Sequence, residues 1–200
     1  MRTGNTSERT NQDRRRLLGM TTLGIAAAGA TVAVMLAVLG GNAISAQDKY
    51  TLQIPNGLEL SDFRGYENWE NVAVSESETS LKVIVANPTM MAAYRNGLPA
   101  EGKLFPDGSK VAKIEWTVKR NGMSPYFIIV PDTLKTLAFI EKDTKRFPNT
   151  HGWAYAQWAY DPATDTLKPS ELDPGGAECG YMCHSRVSAQ DYIYTAYPKR

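Results

Sequence analysis

Cysteine and histidine are nearly missing from this 200-residue chain, which holds two of each, and neither sign of charge dominates, with 22 basic against 21 acidic residues. A structural zinc site wants about four Cys or His ligands, which here would take every thiol and imidazole in the chain. That argues against zinc. The surplus of Lys and Arg that would track nucleic acid is missing too. No internal repeat and no low-complexity linker interrupts the chain beyond its N-terminal segment.

That segment is built differently from the rest. Arg14, Arg15 and Arg16 precede an uncharged run from Leu17 to Leu39 made of Leu, Ala, Val, Gly, Ile, Met and Thr. The run exceeds the ~7–15 apolar residues of a signal-peptide core and is about as long as a membrane span. Residues 1–46 therefore read as an export segment, either cleaved near Ala43 to Ala46 or kept as a membrane anchor. Arginines on the near side keep the N-terminus in the cytoplasm and send the remainder into the oxidising periplasm. Asp13-Arg14-Arg15-Arg16-Leu17-Leu18 also looks like a twin-arginine signal, which would carry an already folded cargo. Residues 1–46 carry five Arg with Glu8 and Asp13, leaving 17 basic and 19 acidic residues in 47–200. This near-neutral remainder has the size of one domain with its own core.

Both cysteines and one histidine fall in Cys179-Gly180-Tyr181-Met182-Cys183-His184. Two neighbouring thiols can add across the two vinyl groups of one haem, and a histidine just after the second can ligate the iron. The usual spacing is C-x-x-C-H, whereas here three residues separate the cysteines. A Cys179–Cys183 disulfide is the alternative in an oxidising compartment, because a four-residue step brings side chains together on one helical turn. Spacing alone leaves both open.

From Tyr50 onward the chain reads as short strands and turns. Trp69 to Val74 and Leu81 to Val85 carry β-branched residues suited to a half-buried pleated surface. Asn87-Pro88 predicts a helix start, Met90, Met91, Ala93 and Tyr94 its buried side, and Gly97 its end. Phe105-Pro106-Asp107-Gly108 predicts a turn into a strand over 111–116. Alternation sets Ala112, Ile114 and Trp116 on one face and Val111, Lys113 and Glu115 on the other. Further strands are expected at 134–141 and 153–160, with a loop over 161–177, a short helix from Cys179 to Val187 and a last strand from Asp191 to Tyr197. Strands outnumber helices. The expected class is α+β, a mainly antiparallel β-sheet with a few short helices and the cysteine motif at its C-terminal end.

The order of these pieces resembles the cytochrome P-460 family and its relatives, the cytochromes c′-beta. The resemblance is carried by Tyr66-Glu67-Asn68-Trp69, Val85-Ala86-Asn87-Pro88, Phe105-Pro106-Asp107-Gly108 with Ala112-Lys113-Ile114-Glu115-Trp116, and Lys142-Asp143 with Arg146-Phe147-Pro148. Gly152-Trp153, the terminal cysteine motif and Tyr194-Thr195-Ala196-Tyr197-Pro198 complete it. It covers nearly all of 47–200. The resemblance implies one covalently bound haem c on a mainly β scaffold and a homodimer. Cys179 and Cys183 would form the thioethers and His184 would be the axial ligand. It also implies five-coordinate iron, and no second axial ligand is evident: Met182 lies inside the motif, and Met90, Met91 and Met123 read as core or loop residues.

Two chemistries are implied by the two branches. In the P-460 branch a lysine is bonded to the haem periphery and the protein oxidises hydroxylamine toward nitrous oxide or nitrite, passing electrons to an acceptor that the sequence does not identify. In the c′-beta branch that bond is absent and an apolar pocket binds nitric oxide or carbon monoxide. Lys113 stands where the cross-linking lysine is expected, with Lys110 on the opposite face and Lys82 a rougher match. Read without the family, Lys113 and Glu115 are a solvated pair on a strand. Hydroxylamine oxidation releases protons, and Glu171, Asp173 and Glu178 are the carboxylates before the motif. Asp173 is the expected base, against its plainer reading as a turn residue before Pro174. His151 reads as an exposed loop histidine, and Trp153, Tyr155, Trp158 and Tyr160 as core and haem-wall packing.

Overall fold

Asn87 both starts a helix and ties it to the sheet. Its side chain accepts the N–H of Met90 at 3.0 Å and of Lys110 at 3.1 Å, and donates to the Gly108 carbonyl at 2.8 Å. With Pro88 in the first turn this gives helix α1, Pro88–Arg95, whose buried residues are Met90, Met91, Ala93 and Tyr94. Gly97, at φ 88°, lets the chain leave it. The computed structural model describes residues 48–54, 58–170 and 177–200, without the side chains of 177–179. The export or anchor reading of residues 1–46 and the proposed base Asp173 with Glu171 lie outside the described residues, as do the side chains of Glu178 and Cys179.

Six strands follow each other across one antiparallel sheet in sequence order: β1 Glu70–Ser77, β2 Ser80–Ala86, β3 Lys110–Arg120, β4 Ile129–Lys142, β5 Trp153–Asp161 and β6 Thr166–Pro169. The α+β expectation holds. Strand β6 corrects the expected loop over 161–177. Asp161-Pro162-Ala163-Thr164-Asp165 is a turn with Asp165 at φ 51°, after which Thr166–Pro169 pairs back on β5.

Period-two alternation gives the sheet two unlike faces. Val85, Ala112, Phe139 and Ala156 stand in register on the first face, which packs on Leu58 and on Leu60, Phe63 and Tyr66 from the N-terminal 3₁₀ turns. Ala86, Val111, Ile140 and Tyr155 stand in register on the second face. That face is covered by α1, Phe105, Tyr192 and Ile193. Full burial of such side chains is worth about 1.5–3 kcal/mol each, so covering both faces fixes the register of the central strands.

The C-terminal segment brings the cysteine motif onto the second face. Helix α2, Ala177–His184, ends at the histidine, and 3₁₀ turns over Ser185–Gln190 replace the expected helical continuation to Val187. The expected strand from Asp191 to Tyr197 does not form. Asp191 and Tyr192 sit at φ 49° and 65°, a left-handed conformation incompatible with an extended ladder. Asp191, Tyr192 and Ile193 are buried one after another, a succession that an alternating strand would not give.

Candidate functional site

A cavity of about 180 Å³ opens on the second face, between the sheet and the C-terminal segment. Two cross-strand rows form its floor: Val111, Ile140 and Tyr155, then Ile84, Lys113, Ala138 and Gln157. Tyr94 of α1, Gly180 and His184 of α2, and Ile193, Tyr194 and Thr195 close it. Lys113 and His184, more than seventy residues apart in sequence, thus line one cavity. Lys110 goes to the opposite face as alternation predicts, where it pairs with Glu141 at 3.1 Å and lies over Phe63. Lys82 stands one row outside the cavity, in register with Glu115.

His184 is held in a defined orientation. Its Nδ1 lies 2.6 Å from the Tyr192 carbonyl oxygen. A carbonyl can only accept, so Nδ1 carries the proton and Nε2 keeps its lone pair for a metal. The ring packs against Tyr155 at 4.8 Å and Tyr194 at 5.0 Å between centroids. Burial pushes its pKa down, the Tyr192 carbonyl opposes this and the nearby Lys113 adds to it. The imidazole is thereby kept neutral, the form that ligates iron.

Lys113 is desolvated and only partly compensated by the charge of Glu115. It makes no hydrogen bond or ion pair among the described residues, and its pKa is lowered, first by burial and then by Lys82, with Glu115 opposing. Glu115 is engaged elsewhere. Lys135 donates to it at 3.2 Å and Thr136 at 3.2 Å. Although partial burial works the other way, the Ser80 hydroxyl and Lys135 hold its carboxyl below the usual range. The solvated Lys113–Glu115 pair of the plain strand reading therefore does not form.

The donor set suits a haem. A neutral imidazole with a free Nε2 faces aliphatic and aromatic walls, and the buried Tyr94 hydroxyl on the same wall has no partner among the described residues, which marks a place where a polar group is missing. Cys183 carries an exposed, free thiol one residue before His184. Tyr194 donates to the Cys183 carbonyl at 2.7 Å, fastening the end of α2. Met90 and Met91 are buried core residues and Met123 is an exposed loop residue, as expected, while Met182 points to solvent. His151 is exposed at φ 55° and stacks on Tyr192 at 5.3 Å.

Sequence reasoning missed Gly180 and the Tyr192 carbonyl. A Cβ at 180 would lie 2.3 Å from the Tyr155 ring, so glycine is what allows α2 to press on that ring. The signal was a glycine in the middle of a short helix, where it is otherwise unfavourable. The carbonyl leaves no trace in side-chain identities.

Among curated proteins none matches the chain. Residues 63–195, well over half of the chain, match the family described as cytochrome P-460. The matched span contains the whole sheet, Lys113 and the Cys179 to His184 motif, and the chain is a haem cytochrome that belongs to the cytochrome P-460 family.

Proposed function

We propose that the protein is an exported monohaem c-type cytochrome that oxidises hydroxylamine toward nitrous oxide or nitrite. The observation that carries this reading is Lys113, whose unpaired, desolvated side chain shares a cavity with His184. Cys179 and Cys183 would supply the thioethers, His184 Nε2 the axial bond, and Lys113 a covalent bond to the haem periphery. When bound, the haem supplies an open iron position for a small nitrogenous ligand and takes up its electrons.

The chain's own residues supply the rest. Desolvation raises the share of Lys113 present as neutral amine, whose lone pair can bond a haem carbon; that bond would replace one C–H and one N–H bond, releasing two protons and passing two electrons to an oxidant of the peroxide class during maturation. Ile84, Val111, Ala138 and Ile140 exclude water from the cavity floor. Asp173 is the proposed proton acceptor as the substrate is oxidised. The domain is proposed to work in the periplasm as a homodimer, tethered or released according to the fate of residues 1–46, and to pass electrons to a separate acceptor.

The test is the reduced absorption spectrum of protein made in an export- and haem-attachment-competent host, with hydroxylamine turnover measured against an artificial acceptor. A Soret band displaced strongly to the red, lost in Lys113→Leu together with turnover, is the expected result. An Asp173→Asn variant that keeps its haem should lose ~100-fold or more in rate; an unchanged rate removes Asp173 as the base. An ordinary high-spin c-type Soret without turnover would transfer the protein to the second reading, a c′-beta-like binder of nitric oxide or carbon monoxide. The aliphatic part of the cavity floor, Ile84, Val111, Ala138 and Ile140, favours that alternative.

A further inference from the structure

The most deeply buried charges in the described residues stand next to this site, not in it. Lys142, at the end of β4, and Asp191 are 2 % and 1 % exposed. The ammonium donates to both Asp191 oxygens, at 2.8 and 3.0 Å, and to the His151 carbonyl at 3.0 Å, and lies 4.9 Å from the Trp153 ring centroid. The same carboxylate accepts the Phe105 backbone N–H at 2.8 Å and the Trp153 indole N–H at 3.2 Å. Asp191 is therefore clamped to the end of β4, the start of β5 and the loop before β3.

Its neighbour in sequence is Tyr192, the residue whose carbonyl takes the His184 Nδ1–H. Both residues hold left-handed backbone angles without being glycine. Such angles cost free energy and persist only where the surroundings over-determine them. The direction of the Tyr192 carbonyl follows from those angles, which are held by the clamp on the Asp191 side chain together with the backbone bonds of Asp191 N–H to Ser188 at 3.0 Å and of Tyr192 N–H to Val187 at 3.1 Å. A backbone carbonyl bonded to the second nitrogen of a ligating histidine fixes the ring and raises its basicity.

We propose that the Lys142–Asp191 pair is a positioning device for His184, setting the orientation and electron-donating strength of the axial imidazole through the Tyr192 carbonyl. Neither residue touches the reacting atoms. This rests on the reading of His184 as axial ligand.

The experiment compares holoprotein of the wild type, Asp191→Asn and Lys142→Met by the iron–histidine stretching band of the ferrous state and by reduction potential, with His184→Ala as control. The expected result is a band moved to lower frequency and broadened, and a higher potential, in both variants, with Lys142→Arg recovering most of the wild-type position. Unchanged band and potential in folded, haem-loaded variants would overturn the proposal. Should the single variants not fold, Lys142→Met combined with Asp191→Leu, which leaves no unpaired charge, is judged by the same two readouts. A His184→Ala protein that keeps the wild-type band would instead refute the assignment of His184, so the two failures are distinct.

Discussion

Lys142 and Lys113 project from neighbouring strands onto the same face of the sheet, yet they are opposites. Lys142 donates three hydrogen bonds and lies over an indole, so its charge is accounted for inside the protein. Lys113 has lost much of its water and, among the described residues, has gained no ion pair in return. A buried cation with a full set of partners fixes geometry. One without them is driven toward its neutral, reactive form. The end of the face near Asp191 is thus a clamp, and the end at the cavity is chemically available. Tyr155 stands in the row between them, pressed by Gly180 of α2.

The comparison breaks most sharply at the clamp. Lys142→Met strands the Asp191 carboxylate in the interior and should cost about 3–5 kcal/mol, measured by urea denaturation of the purified protein. The same substitution at Lys113 removes an unpaired charge and should cost nothing at neutral pH. Equal losses at the two sites would erase the distinction.

A smaller effect is expected between the two ends. Gly180→Ala puts a methyl group into the Tyr155 ring and should cost about 1–3 kcal/mol, the range for overpacking. Because Tyr155 packs on His184, the variant should also load less haem per protein during maturation, read as the ratio of Soret to protein absorbance. A normal ratio with normal stability would mean that α2 can ride up over the ring, and Gly180 would then have no special place in the site.

Much of this was legible in the sequence, for physical reasons that differ by element. Helix α1 was marked at both ends by Asn87-Pro88 and Gly97, and the two-residue period around Ala112 and Lys113 was enough to sort Lys113 from Lys110. The pattern around Asp191 misled. Alternating residue types from Asp191 to Tyr197 imitate a strand, whereas Asp191, Tyr192 and Ile193 are buried in succession, and the information that Asp191 is clamped lies in Lys142, 49 residues away. Strand β6 was hidden because Thr166-Leu167-Lys168-Pro169 is short, ends in proline and is a strand only through pairing with β5. Two features of the site could not be read at all. The Tyr192 carbonyl belongs to the backbone, and the lack of an ion pair at Lys113 among the described residues goes with Glu115 being engaged by Ser80, Lys135 and Thr136.

The slightest expected effect is also the most specific to Lys113. In protein expressed without haem attachment the lysine is free to titrate. Its folded pKa is lowered by burial from the ordinary 10.5, so between the two values the unfolded chain holds more protons than the folded one. Stability must then rise with pH through that window and level off above the ordinary lysine value. Lys113→Met removes the titrating group, so its advantage over the wild type should be greatest near neutral pH and vanish by about pH 10.5. Urea midpoints of the two proteins at several pH values provide the check. A difference that stays constant with pH would mean that the ammonium is solvated in the cavity, and the contrast with Lys142 would reduce to one of hydrogen-bond count.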